Sequence, residues 1–296
     1  ERYIEEVEDG WLAKVARFYG YKDNGLKTTL EILDKGFAFV FVQSPGSCQS
    51  SGPRYSDYSP REIDAMGLTI DWISEQPWPN QKMGFHGGSY SGTTAEMSCA
   101  SLRPGLKAVY PMKPDFDGFR SVINPGGLGS GAFLHDWAKF IRAGDMDDMI
   151  GLGELMQGHP LSFIEKIKFR SLVKGLKRPK GADLEIFHQA IRDHRANPDV
   201  EKLYGGLENQ FVDTTFPTAD GVATWENIAL YSYKERIEKA QVNSYNRAGW
   251  IDAGTAEGVL EKFLTFNTPQ RIVIGPTGHR LGQFVDLYGI HPDQDP

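Results

Sequence analysis

Cysteine is scarce in this sequence, with two residues in 296, Cys48 and Cys99. That excludes a disulfide-rich scaffold and any four-cysteine zinc site, and it leaves open whether the two thiols pair. An excess of basic residues is also lacking. Lys and Arg total 32 against 39 Asp and Glu, a net charge of −7, and the isoelectric point is near 5.6. Nucleic-acid binding needs a net basic face, so no nucleic-acid partner is expected. Long apolar runs are missing. The longest, Phe37-Ala38-Phe39-Val40-Phe41-Val42, falls far short of the roughly 20 residues that span a bilayer, so no transmembrane segment is expected. A start methionine is absent too. The first residue is Glu1, so any signal peptide is expected to have been lost, and a soluble chain could be cytoplasmic or secreted. Internal repeats and low-complexity tracts do not occur.

What remains is ordinary for a folded chain: 40% hydrophobic and 24% charged residues, with a mean hydropathy of −0.41. A length of 296 lies where one hydrophobic core gives way to two, so one large domain or a core with an insertion is expected. The first part of the chain alternates strand and helix patterns. Trp11 to Phe18 is mostly apolar, and Lys27 to Asp34 reads as a short helix closed by Gly36. Phe37 to Val42 reads as a strand buried on both faces, as parallel strands are. Ser44 to Pro60 is rich in Ser, Gly and Pro and predicts a long loop. Ser59-Pro60-Arg61-Glu62 predicts a helix start, with Ser as N-cap, Pro at the first position and Glu at the capping-box position. Ile63, Met66, Ile70 and Ile73 then recur at helical spacing as far as Pro77. Met83 to His86 is a short strand, Thr93 to Leu102 a helix and Leu106 to Tyr110 the next strand. Such alternation predicts an α/β fold with a parallel sheet. From about Asp117 to Lys239 the patterns are mostly helical, and strands return at Val242 to Tyr245 and Arg271 to Ile274. The expected organisation is therefore a core over 1–116, a helical cap insertion over 117–239, and the rest of the core over 240–296.

The segment Met83-Gly84-Phe85-His86-Gly87-Gly88-Ser89-Tyr90-Ser91-Gly92 leads directly into a helix. A strand, a Gly-flanked serine and a helix describe a nucleophile elbow, in which a strained serine stands in a turn too crowded for side chains. The usual five-residue form is not met, because Ser91 stands in place of its second Gly and the glycine follows at Gly92. Alone, such a turn could equally be a plain tight connection. A serine nucleophile needs a base, and the base needs an orienting carboxylate. On this topology the expected chain order is Ser, then Asp or Glu, then His, each just past a strand. Asp252 follows Ala248-Gly249-Trp250-Ile251, and His279 follows Ile272-Val273-Ile274 through Gly275-Pro276-Thr277-Gly278. Ser89, Asp252 and His279 are thus the candidate catalytic triad.

The segments Gly87 to Gly92, Gly249 to Asp252 and Gly275 to His279 resemble the motifs of the cocaine esterase family. That family also takes in glutaryl-cephalosporin acylases, α-amino-acid ester hydrolases and X-prolyl dipeptidyl peptidases. Asp71-Trp72-Ile73, Leu106-Lys107-Ala108 and Pro125-Gly126-Gly127 match as well. The resemblance implies an α/β-hydrolase fold with a helical cap. It implies serine acyl-enzyme chemistry on a small ester, amide or short-peptide substrate, with no cofactor. X-prolyl dipeptidyl peptidase or α-amino-acid ester hydrolase activity is the nearest alternative, and a catalytically silent scaffold is the alternative outside the enzyme class. The resemblance also implies an oxyanion hole made by the backbone N–H of Tyr90 and a tyrosine hydroxyl. In Phe18-Tyr19-Gly20-Tyr21-Lys22 that hydroxyl is assigned to Tyr19, with Tyr21 in reserve; an ordinary aromatic at a sheet edge is the other reading. Phe133, Trp137 and Phe140, at helical spacing, resemble cap aromatics that hold an acyl group, although a helix core has the same pattern. Phe133, Trp137 and Trp250 are the substrate-binding candidates.

Two departures stand out. Relatives carry an Asp-x-Arg-Gly pattern after the strand expected at Phe37 to Val42, whereas this chain reads Gln43-Ser44-Pro45-Gly46-Ser47. A charged pair that would brace the loop against the sheet is therefore expected to be missing, and this part of the site to be shaped differently. Many relatives also begin with additional strands and continue into a jelly-roll domain absent from this chain, so a fragment or a compact member is expected.

The remaining features have plainer readings. Gly126, Gly127, Gly129 and Gly131 lack the Lys-Ser/Thr of a phosphate loop and suit a flexible approach to the cap. The basic run Lys166 to Lys180 suits the solvated face of a helix, or else an anionic partner. His86 is expected to be structural within a buried strand, and Cys99 to belong to the core. The acids Asp115, Asp117, Asp145, Asp147 and Asp148 could bind a substrate amine or solvate helix ends. No metal constellation emerges, and oligomeric state is left open.

Overall fold

The computed structural model describes residues 24–48, 50–172, 184–205, 211–213, 215–216 and 223–279. Trp11 to Phe18, Tyr19, Tyr21 and the end of the basic run after Leu172 lie outside them. In chain order the elements that matter begin with α1 (Asn24–Asp34), α2 (Pro60–Ser74), β1 (Met83–Gly88), α3 (Tyr90–Met97) and β2 (Leu106–Met112). They continue with α4 (Gly131–Asp145), α5 (Met149–Gln157), α6 (Phe163–Leu172), α7 (Leu184–Asp193) and α8 (Val200–Gly205). The last are α9 (Lys234–Ala240), β3 (Asn243–Gly249), α10 (Thr255–Thr265) and β4 (Gln270–Gly275). The described residues fall into two compact units, one of 24–54 with 135–199 and one of 55–134 with 200–279.

The second unit holds a four-stranded, fully parallel sheet in the order β1-β2-β3-β4. Its register ends level: Gly88 faces Met112, Met112 faces Arg247, and Gly249 faces Gly275. The segments that follow each strand, beginning at Ser89, Lys113, Trp250 and Pro276, therefore leave from the same edge. Ile63 and Ile70 of α2 pack with Met97, Cys99, Leu106, Val109 and Ile237 in one core cluster. Each such aliphatic side chain contributes about 1.5–3 kcal/mol by leaving water. Cys99 is a core residue, and both cysteines are free thiols.

Beneath the sheet edge lies a buried polar knot. Glu96 of α3 and Lys262 of α10 form an ion pair at 2.6 Å, each side chain 1% exposed. Ser244 of β3 donates to Glu96 at 2.8 Å while accepting from Lys262 and from Asn246. Both charges are thereby hydrogen-bonded, which is the condition for tolerating them in an apolar interior.

Three local expectations need correction. Phe37 to Val42 is not a strand and takes no part in the sheet; Phe37 and Phe41 are 64% and 72% exposed. Apolarity fits burial on both faces, but a parallel strand also needs a distant ladder partner, which no periodicity specifies. The capping box at Ser59 does not form either. Ser59 makes no side-chain cap, and the Glu62 carboxylate accepts the Tyr90 hydroxyl at 2.8 Å. The phenol gives this buried carboxylate a charge-assisted hydrogen bond, and so takes the group that a capping box would use. Finally, His86 lies on an exposed face of β1 and not within a buried strand, because alternate side chains of β1 stand on the side of the sheet open to solvent.

The other unit is helical, and its loop over 43–54 is held by charge. Arg54 pairs with Asp145 at 2.9 Å, both side chains 5% exposed. Asn197 donates to Asp145 and to the Gly46 carbonyl, and His194 bonds the carbonyls of Ser50 and Asp145. The Arg54–Asp145 pair is not the one that the Asp-x-Arg-Gly pattern would supply against the sheet, which Gln43 to Ser47 lacks; it joins Arg54 to a partner far along the chain within the helical unit. Asp148 caps α5 through Gly151 N–H, and Asp117 pairs with Arg120. Within the acidic group, Asp117, Asp145 and Asp148 therefore have structural partners of their own. Among the described residues no helix is long and apolar enough to cross a membrane.

Candidate active site

Ser89 stands between β1 and α3 with φ +60° and ψ −127°, a conformation that costs an L residue of order 1–3 kcal/mol. The neighbouring glycines show why it is held. A Cβ on Gly87 would lie 2.5 Å from the Ser91 carbonyl carbon, and one on Gly92 would lie 2.5 Å from the Met112 carbonyl oxygen. The close approach to β2 thus falls at Gly92, one residue later than in the usual five-residue form. Ser91 can be a serine because its hydroxyl turns back to Gly88, donating to the carbonyl at 2.9 Å.

From the end of β4, His279 reaches Ser89. Its Nε2 lies 2.9 Å from Ser89 Oγ, and its Nδ1 lies 2.6 Å from Asp252 Oδ1. A carboxylate can only accept, so Nδ1 carries the proton and Nε2 is left to accept the serine hydroxyl. Asp252 is 2% exposed while His279 is 55% exposed, an arrangement with a dry anchor and an open mouth. Thr255 also donates to Asp252 Oδ2 at 3.2 Å. Ser89, Asp252 and His279 are therefore brought together at the carboxyl edge of the sheet, where ligands bind in open parallel sheets.

A second chain of groups runs beside them. The Tyr90 ring stacks on Tyr58 with centroids 4.4 Å apart. The Tyr90 hydroxyl donates to Glu62 and accepts from Tyr58 N–H, and the Tyr58 hydroxyl donates to Asp115 Oδ2 at 3.0 Å. Burial pushes both phenols well above their ordinary range, so they stay neutral donors. Burial also raises Asp115 to about 6, against the opposing pull of the Tyr58 hydrogen bond and of His279. Tyr58 and Glu62 escaped the sequence reading because neither lies in a strand-end motif. Lys113 escaped too, although a lysine directly after a parallel strand stands where Ser89 does.

The family model for X-Pro dipeptidyl-peptidases (S15 family) matches residues 8–280. The chain belongs to the X-Pro dipeptidyl-peptidase (S15) family. Like the resemblance read from its motifs, its relatives include the cocaine esterase of a Rhodococcus strain, 28% identical over 84% of this chain and 40% of that protein. A Mycobacterium bovis protein bearing a provisional serine-esterase name is 28% identical over 88% of this chain and 42% of its own length. This S15 chain thus spans about two fifths of the length of the curated relatives it matches. The crystal structure of a CocE/NonD family hydrolase from Staphylococcus aureus superposes with a TM-score of 0.53, at 19% identity, over 80% of this chain and 32% of that one. The fold is that of the α/β hydrolases in the CocE/NonD group.

The remaining candidates are placed as follows. Tyr90 is the first residue of α3, so its N–H lies at the positive end of the helix. Trp250 follows β3 and is 59% exposed. Phe133 is exposed in the first turn of α4. Trp137, in the other unit, stacks on Phe140 with centroids 5.7 Å apart. Tyr19 lies outside the described residues. Among the described residues no group of three His, Cys, Asp or Glu could hold a metal ion.

Proposed function

We propose that this chain carries the catalytic centre of a serine hydrolase that cleaves carboxylic esters or amides through an acyl-enzyme. The observation that carries this reading is the continuous hydrogen-bond chain Ser89–His279–Asp252, with its carboxylate end buried. His279 Nε2 takes the Ser89 proton as Oγ attacks the substrate carbonyl carbon, and Asp252 steadies the imidazolium. The tetrahedral oxyanion is met by Tyr90 N–H and, on the family resemblance, by the Tyr19 hydroxyl. Removing one such donor typically costs about 100–1,000-fold in rate. Collapse expels the alcohol or amine, which takes the proton from His279. Water, activated by the same imidazole, then releases the acid and restores Ser89. Phe133 and Trp250 are proposed to contact the acyl group. The helical residues over 117–239 are proposed as the cap between the two core segments, 1–116 and 240–296.

A second reading is favoured by one observation. Asp115, at the same sheet edge, feels the charges of His279 and Asp252, and a carboxylate there suits a substrate with a free α-amine. Aminoacyl esters or X-prolyl dipeptides would then be preferred over simple acyl esters. Hydrolysis rates of p-nitrophenyl butyrate and of an aminoacyl p-nitrophenyl ester separate the two readings.

Fluorophosphonate labelling tests the assignment itself. The wild-type protein is expected to label and Ser89→Ala to lose the label with its fold intact; labelling that persists in the variant sinks the reading.

A further inference from the structure

Lys113 takes no part in the reaction just described, yet its side chain is only 4% exposed. It follows β2 directly, at φ +53°, and its N–H donates to the Arg247 carbonyl on β3 at 2.5 Å. Its Nζ donates to the Gly278 carbonyl and, at 2.6 Å, to the His279 carbonyl. The same Nζ lies 3.9 Å from Asp252 Oδ2, the oxygen that His279 does not use. An ammonium has three donors, and here they face the two loops that carry His279 and Asp252. Burying an ammonium costs several kcal/mol unless it is paired and hydrogen-bonded, so a lysine in this place needs all of these acceptors.

We infer that Lys113 is a positioning residue for the proposed triad, pinning the main chain of the His279 loop while its charge opposes that of Asp252. The inference rests on the serine-hydrolase reading. The grip on the Gly278 and His279 carbonyls sets where the imidazole stands, and a displacement near 1 Å can cost about 100-fold in rate. The ammonium charge, 3.9 Å from Asp252 Oδ2, holds that carboxylate opposite the same grip.

The test compares the wild-type protein with Lys113→Met and Lys113→Arg, using p-nitrophenyl butyrate kinetics and circular dichroism for the fold. In the Met variant we expect kcat to fall about 10–100-fold with KM little changed. The Arg variant keeps the charge but not the compact grip, so its kcat falls as well. Wild-type kcat in a folded Met variant, or a rise in KM in place of the fall in kcat, would overturn the inference. Should the Met variant not fold, the Arg variant decides: lost kcat with KM little changed supports the role, and wild-type kcat removes it. A wild-type protein with no Ser89-dependent fluorophosphonate labelling overturns the hydrolase reading, and this inference with it. A labelling wild type beside an unaffected Met variant overturns this inference alone.

Discussion

Gly249 has no room for a side chain because Thr277 stands against it. A Cβ on Gly249 would overlap the Thr277 carbonyl oxygen and lie 2.7 Å from its hydroxyl. The contact joins the end of β3, which leads to Asp252, to the loop that leads to His279. Ile251 N–H donates to the same Thr277 carbonyl at 3.3 Å, and Trp250 N–H to the Gly275 carbonyl at 2.9 Å. Gly249 and these two hydrogen bonds thus set Asp252 and His279 at a fixed separation.

Gly249→Ala is therefore expected to lower kcat on p-nitrophenyl butyrate by about 100-fold, with a stability loss of about 1–3 kcal/mol from overpacking. Steady-state kinetics beside a urea titration check it. A variant with wild-type kcat would show that the loops tolerate separation.

Lys262→Met leaves Glu96 of the elbow helix charged and buried. The expected cost is about 3–5 kcal/mol, read from denaturant midpoints. The double variant Lys262→Met with Glu96→Gln should recover much of it, since no uncompensated charge remains. A single variant within 1 kcal/mol of wild type would contradict the account.

Asp115 gives a pH signature of known sign. Its folded value is raised to about 6 from 3.8, so the folded state binds the extra proton. The benefit is full below the unfolded value and is lost as pH rises through the folded one. This group alone therefore lowers stability by about 2–3 kcal/mol between roughly pH 4 and pH 6. Asp115→Asn should flatten stability over that window and leave the variant more stable than wild type at pH 8. Thermal melts from pH 4 to pH 8 decide it, and an unchanged slope would count against burial as the cause.

Arg54→Met strands Asp145 in the same manner within the helical unit. About 3–5 kcal/mol is expected, with the loop over 43–54 opening first. Limited proteolysis with mass spectrometry should show faster cleavage there than in the wild-type protein, and equal rates would refute the brace.

Much of the sheet edge was legible from local pattern. Ser89, Asp252 and His279 each follow a strand and sit near glycines. Turn chemistry of this kind is written in neighbouring residues. The helix α2 was equally plain, since Ile63, Ile70 and Ile73 share one buried face. Phe37 to Val42 misled because apolarity reports a wish for burial and not the presence of a ladder partner. Glu62 misled because its position suits a cap, while the group that claims it, Tyr90, lies on another element.

The amino-acid order by itself determined the α/β class, the strained serine turn and the chain order of Ser89, Asp252 and His279. Each rests on interactions between residues a few positions apart. Only the tertiary structure decided that Lys113 grips the carbonyl of Gly278, 165 residues away, and that Ser244 meets Glu96 across 148. It also decided that Arg54 pairs with Asp145 within the helical unit. A buried charge is tolerated only where distant groups converge on it, and convergence is a property of the folded chain.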